Sequence, residues 1–342
     1  MATTDDVDTA RPARGSSALY DATGRHIDYI RLSLTDRCNF RCLYCMPHAG
    51  QPFIKHDKII TYEELLRLVG IFAALGISRY KVTGGEPFCR RGATAFLRDL
   101  VQVDGVDEVT VTTNGTLVEA HLETLAELGV GSMTFSCDAF RDDIFSRICR
   151  TDVGTASIRA LMERAFALGM RVKINTVPLR GYNDEDLVPL TRYALEKGFQ
   201  IRFIELMPVG SGRALEGIPQ AEVFALMQKT FGPLGLVEHK MGNGPAVVYA
   251  PQGSGGHIGF IAAMTGKFCE RCNRVRLTST GFFKTCLCHD AGVDLMAAMR
   301  AGVGDAELTR LVIDAVREKP SGHTFSFAPT GERGFFMHSI GG

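Results

Sequence analysis

Residues 29–45 read YIRLSLTDRCNFRCLYC, and the interpretation of the whole chain starts from this stretch. Residues 30–34 alternate between apolar and polar side chains with a period of two, which predicts a β-strand. The cysteines that follow, Cys38, Cys42 and Cys45, are spaced C-x3-C-x2-C and must share one compact loop. The stretch therefore predicts a strand that leads into a loop with metal-binding or redox chemistry.

A strand followed by a helix recurs along the chain. Thr61 and Glu64 form a capping box ahead of the apolar-periodic residues 65–72, which predicts a helix. Further strands are predicted near 79–83, 107–112, 131–136, 170–177 and 200–207, and further helices near 92–103, 117–128, 155–168 and 184–197. Six strands that alternate with helices imply a parallel sheet with right-handed crossovers. Because a complete barrel of this type has about eight such units, periodicity alone leaves a partial barrel and a doubly wound sheet both open.

The chain divides into three regions by pattern. Residues 1–16 are polar and predict a flexible tail, residues 17–210 hold the alternating units, and residues 211–342 follow a different pattern. This last region has Gly- and Pro-rich turns between short strands, and a second cysteine group at 269–288. Helices are predicted in it near 219–230, 292–300 and 305–318.

The composition is that of a folded protein, with 45% hydrophobic and 22% charged residues. No run of 18 or more apolar residues occurs, so no membrane-spanning helix is expected. Lys and Arg together number 38, as do Asp and Glu, so the chain has no overall charge bias toward nucleic acid. Any anion site must therefore be a local cluster of cations.

Ten cysteines are many for a chain whose N-terminal residues show no export signal. The expected location is the cytoplasm, a reducing compartment in which disulfides are rare. Clustered cysteines in such a compartment more often bind metal or do redox chemistry, so both groups are candidate metal centres.

A [4Fe–4S] cubane is the metal centre that best fits the first cysteine group. A cubane takes one thiolate per iron, so three cysteines leave one iron open to bind a substrate. Structural zinc uses four ligands, commonly in paired C-x2-C elements. The asymmetric spacing of Cys38, Cys42 and Cys45 matches that pattern poorly.

The second cysteine group leaves two interpretations open on spacing alone. Cys269, Cys272 and Cys286 again offer three thiolates, as a cubane with an open iron requires. With Cys288 the same group offers four thiolates, as a zinc ribbon requires.

Two motifs together resemble those of the radical S-adenosylmethionine superfamily. One is the C-x3-C-x2-C loop, and the other is Thr83-Gly84-Gly85-Glu86-Pro87 at the end of the second predicted strand. The resemblance implies a cluster whose open iron binds S-adenosylmethionine and reductively cleaves it to a 5′-deoxyadenosyl radical. It also implies that the Gly-Gly turn approaches the methionine moiety, and that Glu86 accepts a hydrogen bond from its ammonium group.

The second cysteine group closely resembles the C-terminal motif of the molybdenum cofactor biosynthesis protein A family, the GTP 3′,8-cyclases. The shared pattern is C-x2-C-N-R-x-R-L-T-x2-G-x4-C-L from Cys269, and the resemblance runs from about residue 27 to the terminal Gly341-Gly342. It implies a second [4Fe–4S] cluster held by Cys269, Cys272 and Cys286, whose open iron faces the purine of GTP. The expected fold is α/β, a partial six-stranded (βα)6 TIM-like barrel with a C-terminal extension that carries the second cluster.

Four cysteines fall outside the two implied ligand sets. Cys288 is a departure from the family pattern and is interpreted as a bystander, together with Cys89, Cys137 and Cys149. Buried free cysteines of this kind commonly act as small hydrophobic residues.

The resemblance also implies which residues contact the two small molecules. The residues expected at S-adenosylmethionine are Tyr44, Gly85, Ser136 and Met207, and those expected at GTP are Arg31, Lys81, Thr112, Lys173, Arg274, Val275 and Arg276. Gly341 and Gly342 are expected to enter the active site as a tail. Charged residues in predicted barrel strands are costly to bury unless they are paired or functional, which independently favours roles for Arg31, Lys81 and Lys173.

The expected activity is that of a lyase that converts GTP to (8S)-3′,8-cyclo-7,8-dihydroguanosine 5′-triphosphate, an early step of molybdenum cofactor biosynthesis. The expected cofactors are two [4Fe–4S] clusters, with S-adenosylmethionine as cosubstrate. The expected partners are GTP, an electron donor and a cyclic pyranopterin monophosphate synthase that takes the product. Neither nucleic acid nor a membrane is expected as a partner, and a homodimer is a possible assembly.

Two other functions stay open at this stage. One is a different twin-cluster radical enzyme that acts on a peptide or protein. The other is a zinc-stabilised binding barrel without radical chemistry.

No Walker-type G-x4-G-K-[ST] motif occurs, so GTP is not expected to be held as it is in P-loop hydrolases.

Overall fold

The computed structural model describes residues 18–239, 241–266, 268–327 and 336–340. The predicted tail at 1–16 and the terminal Gly341 and Gly342 lie outside these ranges. None of the described helices is long and apolar enough to cross a membrane.

Within the described ranges, twelve strands form one sheet. The strands are β1 (Tyr29–Ser33), β2 (Arg79–Thr83), β3 (Glu108–Thr113), β4 (Ser132–Ser136), β5 (Arg171–Thr176), β6 (Gln200–Ile204), β7 (Leu234–Leu236), β8 (Val247–Pro251), β9 (His257–Ile261), β10 (Arg274–Leu277), β11 (Phe282–Lys284) and β12 (Gly292–Asp294). Their order is β12-β11-β10-β1-β2-β3-β4-β5-β6-β9-β8-β7.

The six predicted strands are neighbours in this sheet, and each is parallel to the next. The sheet is nevertheless wider than the predicted six. β10 pairs in parallel with β1, and β9 pairs in parallel with β6. Both added strands come from the C-terminal region, where short strands between Gly-rich turns carry little periodic signal. The remaining strands pair antiparallel at the two edges.

The helices of the described chain pack against the sheet. They are α1 (Tyr62–Ala74), α2 (Ala93–Leu100), α3 (Leu122–Glu127), α4 (Asp142–Cys149), α5 (Thr155–Ala167), α6 (Leu187–Glu196), α7 (Gln220–Phe231), α8 (Leu295–Arg300) and α9 (Asp305–Arg317). The predicted capping box begins α1, since Thr61 Oγ1 accepts from Glu64 N at 3.1 Å and Thr61 N donates to Glu64 Oε2 at 2.7 Å. The sequence interpretation missed α4, which is a second helix between β4 and β5, where strict alternation of strands and helices places only one.

Alternation along the strands separates a hydrophobic core from a polar interior. On β1, Ile30 and Leu32 are fully buried in the core, while Arg31 between them faces the other side of the sheet. Pairing in register then aligns polar residues from neighbouring strands, because directly opposed residues share a face. Arg31 lies opposite Arg276 on β10 and opposite Lys81 on β2. The sheet thus concentrates cations on its polar face.

Candidate active site

The polar face of the sheet encloses a chamber of about 320 Å³, lined by strand residues from β1 to β6 and by both cysteine groups. In βα folds, sites are built at the carboxyl ends of parallel strands. The first group enters from the loop after β1, and the second lies just before β10 and just after β11. Two cysteine groups that are more than 220 residues apart in sequence therefore open onto one space.

The first cysteine loop is fastened to the end of α4. Arg41 N donates to the carbonyl of Cys149 at 3.0 Å, and Leu43 N donates to that of Ile148 at 2.9 Å. The loop then turns tightly, since Cys45 N donates to the Cys42 carbonyl at 2.9 Å. The helix that sequence reasoning missed thus holds the cysteines in place.

The Gly84-Gly85 turn is a close contact between backbones. Gly85 N donates to the Thr35 carbonyl at 2.7 Å, and a Cβ on Gly85 would meet the Arg37 carbonyl oxygen at 2.3 Å. Any side chain here would push away the segment that leads into Cys38. Gly85 lines the chamber as predicted, but its lack of a side chain is required by the neighbouring main chain as well as by any ligand.

Glu86 is buried and hydrogen-bonded at the end of β3. Its carboxylate is fully buried, and it accepts from Thr113 Oγ1 at 2.9 Å, Asn114 N at 2.7 Å and Phe88 N at 3.3 Å. Burial raises the pKa of this carboxyl to about 7, although these hydrogen bonds oppose the shift. Glu86 does not line the chamber, and its hydrogen bonds to Thr113 and Asn114 hold the end of β3. Its expected contact with the ammonium group stays a prediction.

Tyr44 and Asp138 form a second link between the cysteine loop and the sheet. The Tyr44 hydroxyl donates to Asp138 Oδ2 at 2.7 Å, and Val177 N donates to the other carboxylate oxygen at 2.8 Å. Burial raises the pKa of Asp138 to about 6. Asp138 lines the chamber two residues beyond the predicted Ser136, and the sequence analysis did not single it out.

A cluster of buried and half-buried cations forms the interior wall. Arg31, Lys81, Lys173 and Arg276 were predicted, and all four line the chamber. Arg202 on β6 joins them and was missed. The sequence did carry a signal for Arg202. It is a charged residue between two apolar residues, 201 and 203, within a predicted strand, and the same pattern marked the predicted cations.

The cations depress one another's proton affinity. Burial, followed by Arg202 and Arg31, places the pKa of Lys81 well below its usual range. Burial and then Arg202 lower the pKa of Lys173 to about 8, and burial followed by Arg31 lowers that of Arg202 to about 10. Lys81, Lys173 and Arg202 form no ion pair with any described carboxylate. This part of the chamber is therefore strongly electropositive and suited to a polyanion.

Several buried polar atoms in the chamber have no hydrogen-bond partner among the described residues. They include the Arg202 Nε, the Thr112 Oγ1, the Asn175 Oδ1, the Thr285 Oγ1 and the His338 Nδ1 atoms. Buried polar groups without partners are rare in folded proteins. Their convergence on one cavity indicates a polar ligand that supplies both donors and acceptors, and it agrees with the predicted contact at Thr112.

The second cysteine group is surrounded by positive charge. Arg274 Nη2 lies 3.7 Å from Cys272 Sγ, and the buried Lys319 donates from Nζ to the Arg274 carbonyl at 2.9 Å and to the Thr285 carbonyl. Burial raises the pKa of the Cys272 thiol, but Arg274 and Lys319 outweigh it, and the net shift lowers the pKa to about 7. A thiol so placed is readily a thiolate, the form that binds metal.

Lys319 is a site residue that no sequence signal marked. It follows the end of α9 and belongs to no motif, yet it interacts electrostatically with both Cys272 and Cys286. Its place is fixed by Arg25, whose guanidinium donates to the carbonyls of Cys269 at 2.8 Å and Pro320 at 2.7 Å. The amino-terminal segment thus ties the second cysteine group to the segment after α9.

The remaining predicted residues fall on both sides of the sheet. Ser136, Met207 and Arg274 line the chamber. Val275 is buried in the hydrophobic core on the other face of β10, so only its main chain is available to a ligand in the chamber.

The cysteines interpreted as bystanders differ in position. Cys137 and Cys89 lie outside the chamber lining, whereas Cys149 and Cys288 line it. Cys288 Sγ lies 3.6 Å from Thr324 Oγ1. Position alone therefore does not separate Cys288 from Cys286.

The described end of the chain reaches the chamber. Met337 and His338 line it, and Arg276 Nη1 donates to the Ile340 carbonyl at 3.4 Å. Gly341 and Gly342 lie beyond the described residues. The residue that precedes them is thus bound to one of the predicted GTP contacts.

The donor sets fit iron–sulfur clusters. The first group presents three free thiols to the chamber and the second presents four, Cys288 included, on loops held by main-chain hydrogen bonds. Within the described ranges, no three Cys, His, Asp or Glu side chains converge so as to hold a single metal ion. A cubane places its thiolate ligands on separate irons.

Two family profiles match the chain in succession. The profile of the Radical SAM superfamily matches residues 32–194, which include the first cysteine group and the Gly-Gly turn. The profile described as Molybdenum Cofactor Synthesis C matches residues 199–325, which include the second cysteine group.

Curated relatives are similar over nearly their full length. The chain is 38% identical over 323 residues to a GTP 3′,8-cyclase of Clostridium perfringens (strain 13 / Type A), covering 94% of this chain and 99% of that protein. It is 39% identical over 332 residues to a GTP 3′,8-cyclase of Paracoccus denitrificans (strain Pd 1222), covering 95% and 96%.

The fold is also found among solved structures. The structure of Streptococcus suis SuiB bound to S-adenosylmethionine superposes with a TM-score of 0.61 at 11% identity. The match covers 86% of this chain and 66% of that one, just under two thirds of its length. At this identity the likeness concerns the fold alone.

Proposed function

The chain belongs to the GTP 3′,8-cyclase family, and from that premise we propose that the chamber is where GTP is cyclised with S-adenosylmethionine as cosubstrate. The protein is a radical S-adenosylmethionine lyase of molybdenum cofactor biosynthesis. Its product is (8S)-3′,8-cyclo-7,8-dihydroguanosine 5′-triphosphate. The observation that carries the assignment of the site is that two cysteine groups and a cluster of buried cations face one chamber.

The cation cluster suits the triphosphate. Lys81 and Lys173 are ammonium groups without a carboxylate partner among the described residues, and Arg202 presents a buried Nε that also lacks a partner. A triphosphate supplies several negative charges and many acceptor oxygens, so it relieves both the repulsion and the unsatisfied donors. We therefore place the triphosphate on these residues together with Arg31 and Arg276.

The first cysteine group is proposed to hold the cluster that binds S-adenosylmethionine. When bound, the cluster and S-adenosylmethionine supply a carbon-centred radical that abstracts hydrogen from the ribose. The residues of the chain position that chemistry, since Gly85, Ser136 and Met207 line the same chamber as the three cysteines of the loop. Tyr44 holds the loop against Asp138 through its 2.7 Å hydrogen bond.

The second cysteine group is proposed to hold the cluster that faces the purine. Cys269, Cys272 and Cys286 supply the ligands, and Lys319 offsets their negative charge. The site therefore spans the nucleotide, with the base at the second group, the triphosphate on the cations and the ribose between the two cysteine groups. Accurate placement of the ribose matters because a displacement of about 1 Å can cost on the order of a hundredfold in rate.

The rest of the proposal concerns partners and location. The product would pass to cyclic pyranopterin monophosphate synthase, and a homodimer is a compatible assembly. All ten cysteines are free, which suits the reducing cytoplasm.

A product assay tests the function. Protein reconstituted anaerobically with iron and sulfide is incubated with GTP, S-adenosylmethionine and dithionite, and the nucleotides are separated by mass spectrometry. A product with the mass of GTP but a different retention time, formed together with 5′-deoxyadenosine, is the expected result. Formation of 5′-deoxyadenosine without any new nucleotide would assign the chain to another radical reaction, such as one on a peptide. A colourless, zinc-containing protein would exclude radical chemistry altogether.

A further inference from the structure

We propose that an acidic protein that carries single electrons docks beside the first cysteine loop, on a basic collar. The collar is the surface formed by Arg37, Arg41, Phe53, Lys55, His56 and Lys58. The proposal rests on the proposed function, because only a reductive reaction needs such a partner.

The chemistry requires an external reductant. The cyclised product is an isomer of GTP, whereas S-adenosylmethionine is split into methionine and 5′-deoxyadenosine. Per product, the balance is therefore two electrons and one proton consumed. A radical reaction takes up its electrons singly, so the donor is a one-electron carrier that is oxidised by one electron at each encounter.

The collar adjoins the main chain of a cluster ligand. Arg41 Nη1 donates to the Cys38 carbonyl at 2.5 Å and to the Phe40 carbonyl at 2.9 Å. The guanidinium carbons of Arg37 and Arg41 lie 5.3 and 5.8 Å from the centre of the Phe53 ring. One side chain thus separates the exposed ring from the backbone of Cys38. A carrier seated on Phe53 would be close to the first cluster.

The centre of the collar has the composition of a protein interface. Phe53 is 44% exposed, although a ring of this size is usually buried. Two guanidinium groups lie against the ring. Aromatic residues and arginine are enriched at protein interfaces, where a planar apolar contact is surrounded by charge. The ring is therefore a suitable apolar contact for the carrier.

The charge of the collar selects an acidic partner. Lys55, His56 and Lys58 are exposed on the segment that follows Phe53, and the same segment exposes one carboxylate, Asp57. Arg37 Nη2 lies 3.3 Å from His56 Nε2, and two arginines and two lysines against one aspartate leave an excess of positive charge. Neither lysine is in an ion pair with a described carboxylate. Because the chain as a whole has no net charge, this local excess of positive charge is a specific feature. Such patches steer partners of opposite charge and raise association rates by roughly 10- to 1000-fold.

The test separates docking from chemistry. The double variant Lys55→Glu with Lys58→Glu reverses two exposed charges that contact neither cysteine group. Lys229→Glu, on the exposed side of α7, is the control variant.

The probe is a reduced, acidic plant-type ferredoxin, with a potential of roughly −400 mV. Binding of the reconstituted enzyme to immobilised ferredoxin is measured first. The rate of 5′-deoxyadenosine formation is then measured with ferredoxin and with dithionite.

The double variant should bind ferredoxin at least about tenfold more weakly at low ionic strength, because collar charges act mainly on the encounter. The difference should nearly vanish at 1 M salt, where the screening length is about 3 Å. The dithionite-driven rate should match that of Lys229→Glu. Phe53→Ser should weaken binding at both salt concentrations, which provides a second test should the double variant be unstable.

Two outcomes would overturn the proposal. One is equal ferredoxin binding by the double variant and by Lys229→Glu at low salt. The other is tight binding by Phe53→Ser. If ferredoxin binding depends on the collar while GTP yields no cyclised product with dithionite, the docking site stands and the proposed substrate is wrong.

Discussion

Lys81 and Arg202 donate to one acceptor, the hydroxyl oxygen of Thr134, with Nζ at 3.0 Å and Nη2 at 3.2 Å. They come from β2 and β6, whereas Thr134 lies on β4 between them in the sheet. Two cations that share a neutral oxygen repel each other, and no described carboxylate pairs with either of them. The arrangement is preorganised for an anion, because the cost of bringing the charges together is met by folding and is not incurred on binding.

The first prediction concerns Arg202. Arg202→Met removes the charge and keeps much of the side-chain length, so GTP should bind roughly ten- to a hundredfold more weakly. The reason is that hydrogen bonds to charged groups contribute about 1.5–3 kcal/mol each. The free protein should be no less stable, since one member of a repelling buried cluster is gone. Equilibrium binding and thermal unfolding measure the two effects.

Lys229→Met is the control for Arg202→Met, because it removes one charge from an exposed position of α7. Unchanged GTP affinity in Arg202→Met would show that the triphosphate lies elsewhere.

The second prediction is a pH dependence of GTP binding. Burial and Arg202 lower the pKa of Lys173 to about 8 in the free protein. Above that pH the amine is neutral and attracts phosphate less, so GTP affinity should fall as pH rises from about 7 to 9. Lys173→Arg keeps its charge over this range and should show a flatter profile. A wild-type profile as flat as that of Lys173→Arg would contradict the assignment.

The lowered pKa of Lys173 should also make folding stability depend on pH. Stability should rise with pH over the range in which GTP affinity falls. The unfolded chain keeps this lysine protonated to about pH 10.4, whereas the folded chain does so only to about 8. The unfolded state therefore binds more protons between these values, and the contribution of Lys173 to stability rises with pH in that window. Lys173→Met should be more stable than wild type at pH 7. Chemical denaturation should show this advantage shrinking as pH rises from 8 to 10.

The third prediction concerns iron content. Reconstituted protein should hold about eight irons per chain, as two cubanes. Combined alanine replacement of Cys38, Cys42 and Cys45 should leave about four, because the second group is untouched. Cys288→Ala should keep the full amount. If Cys288→Ala loses the second cluster while Cys286→Ala retains it, Cys288 is the ligand.

The fourth prediction separates the two cysteine groups by role. Cys272→Ala should still bind S-adenosylmethionine and cleave it slowly with dithionite, yet it should bind GTP weakly and form no cyclised product. Cys42→Ala should lose cleavage and keep measurable GTP affinity. Loss of cleavage in both variants, with correct folding verified by circular dichroism, would argue against independent roles.

The fifth prediction concerns the end of the chain. Arg276 lines the chamber and donates to the carbonyl of Ile340, the last described residue. Deleting Gly341 and Gly342 should leave both clusters in place and strongly reduce product. Deleting residues 2–16, which the sequence predicts to be a flexible tail, is the control and should leave product formation unchanged. Full activity without the two glycines would mean that the tail is not part of the site.

Local patterns were sufficient to predict much of the fold. The strand at residues 79–83 and the cap of α1 follow from short-range periodicity and capping chemistry. The cysteine spacings likewise identified both candidate metal centres. By contrast, α4 was missed because it is a second helix between β4 and β5, and the alternation of strands and helices predicts only one there. β9 and β10 were not recognised as parallel partners because pairing with β6 and β1 is a long-range property.

The sequence by itself determined most of the residues that bring chemistry to this protein, because cysteine spacing and charges within strands are local features. Only the tertiary structure decided how they act together. The parallel register places Arg31 between Arg276 and Lys81, and the same fold brings Arg202 and Lys319 to the chamber although neither lies in a motif. The physical reason is that a charge affects its neighbours through space, and distance in space is set by packing.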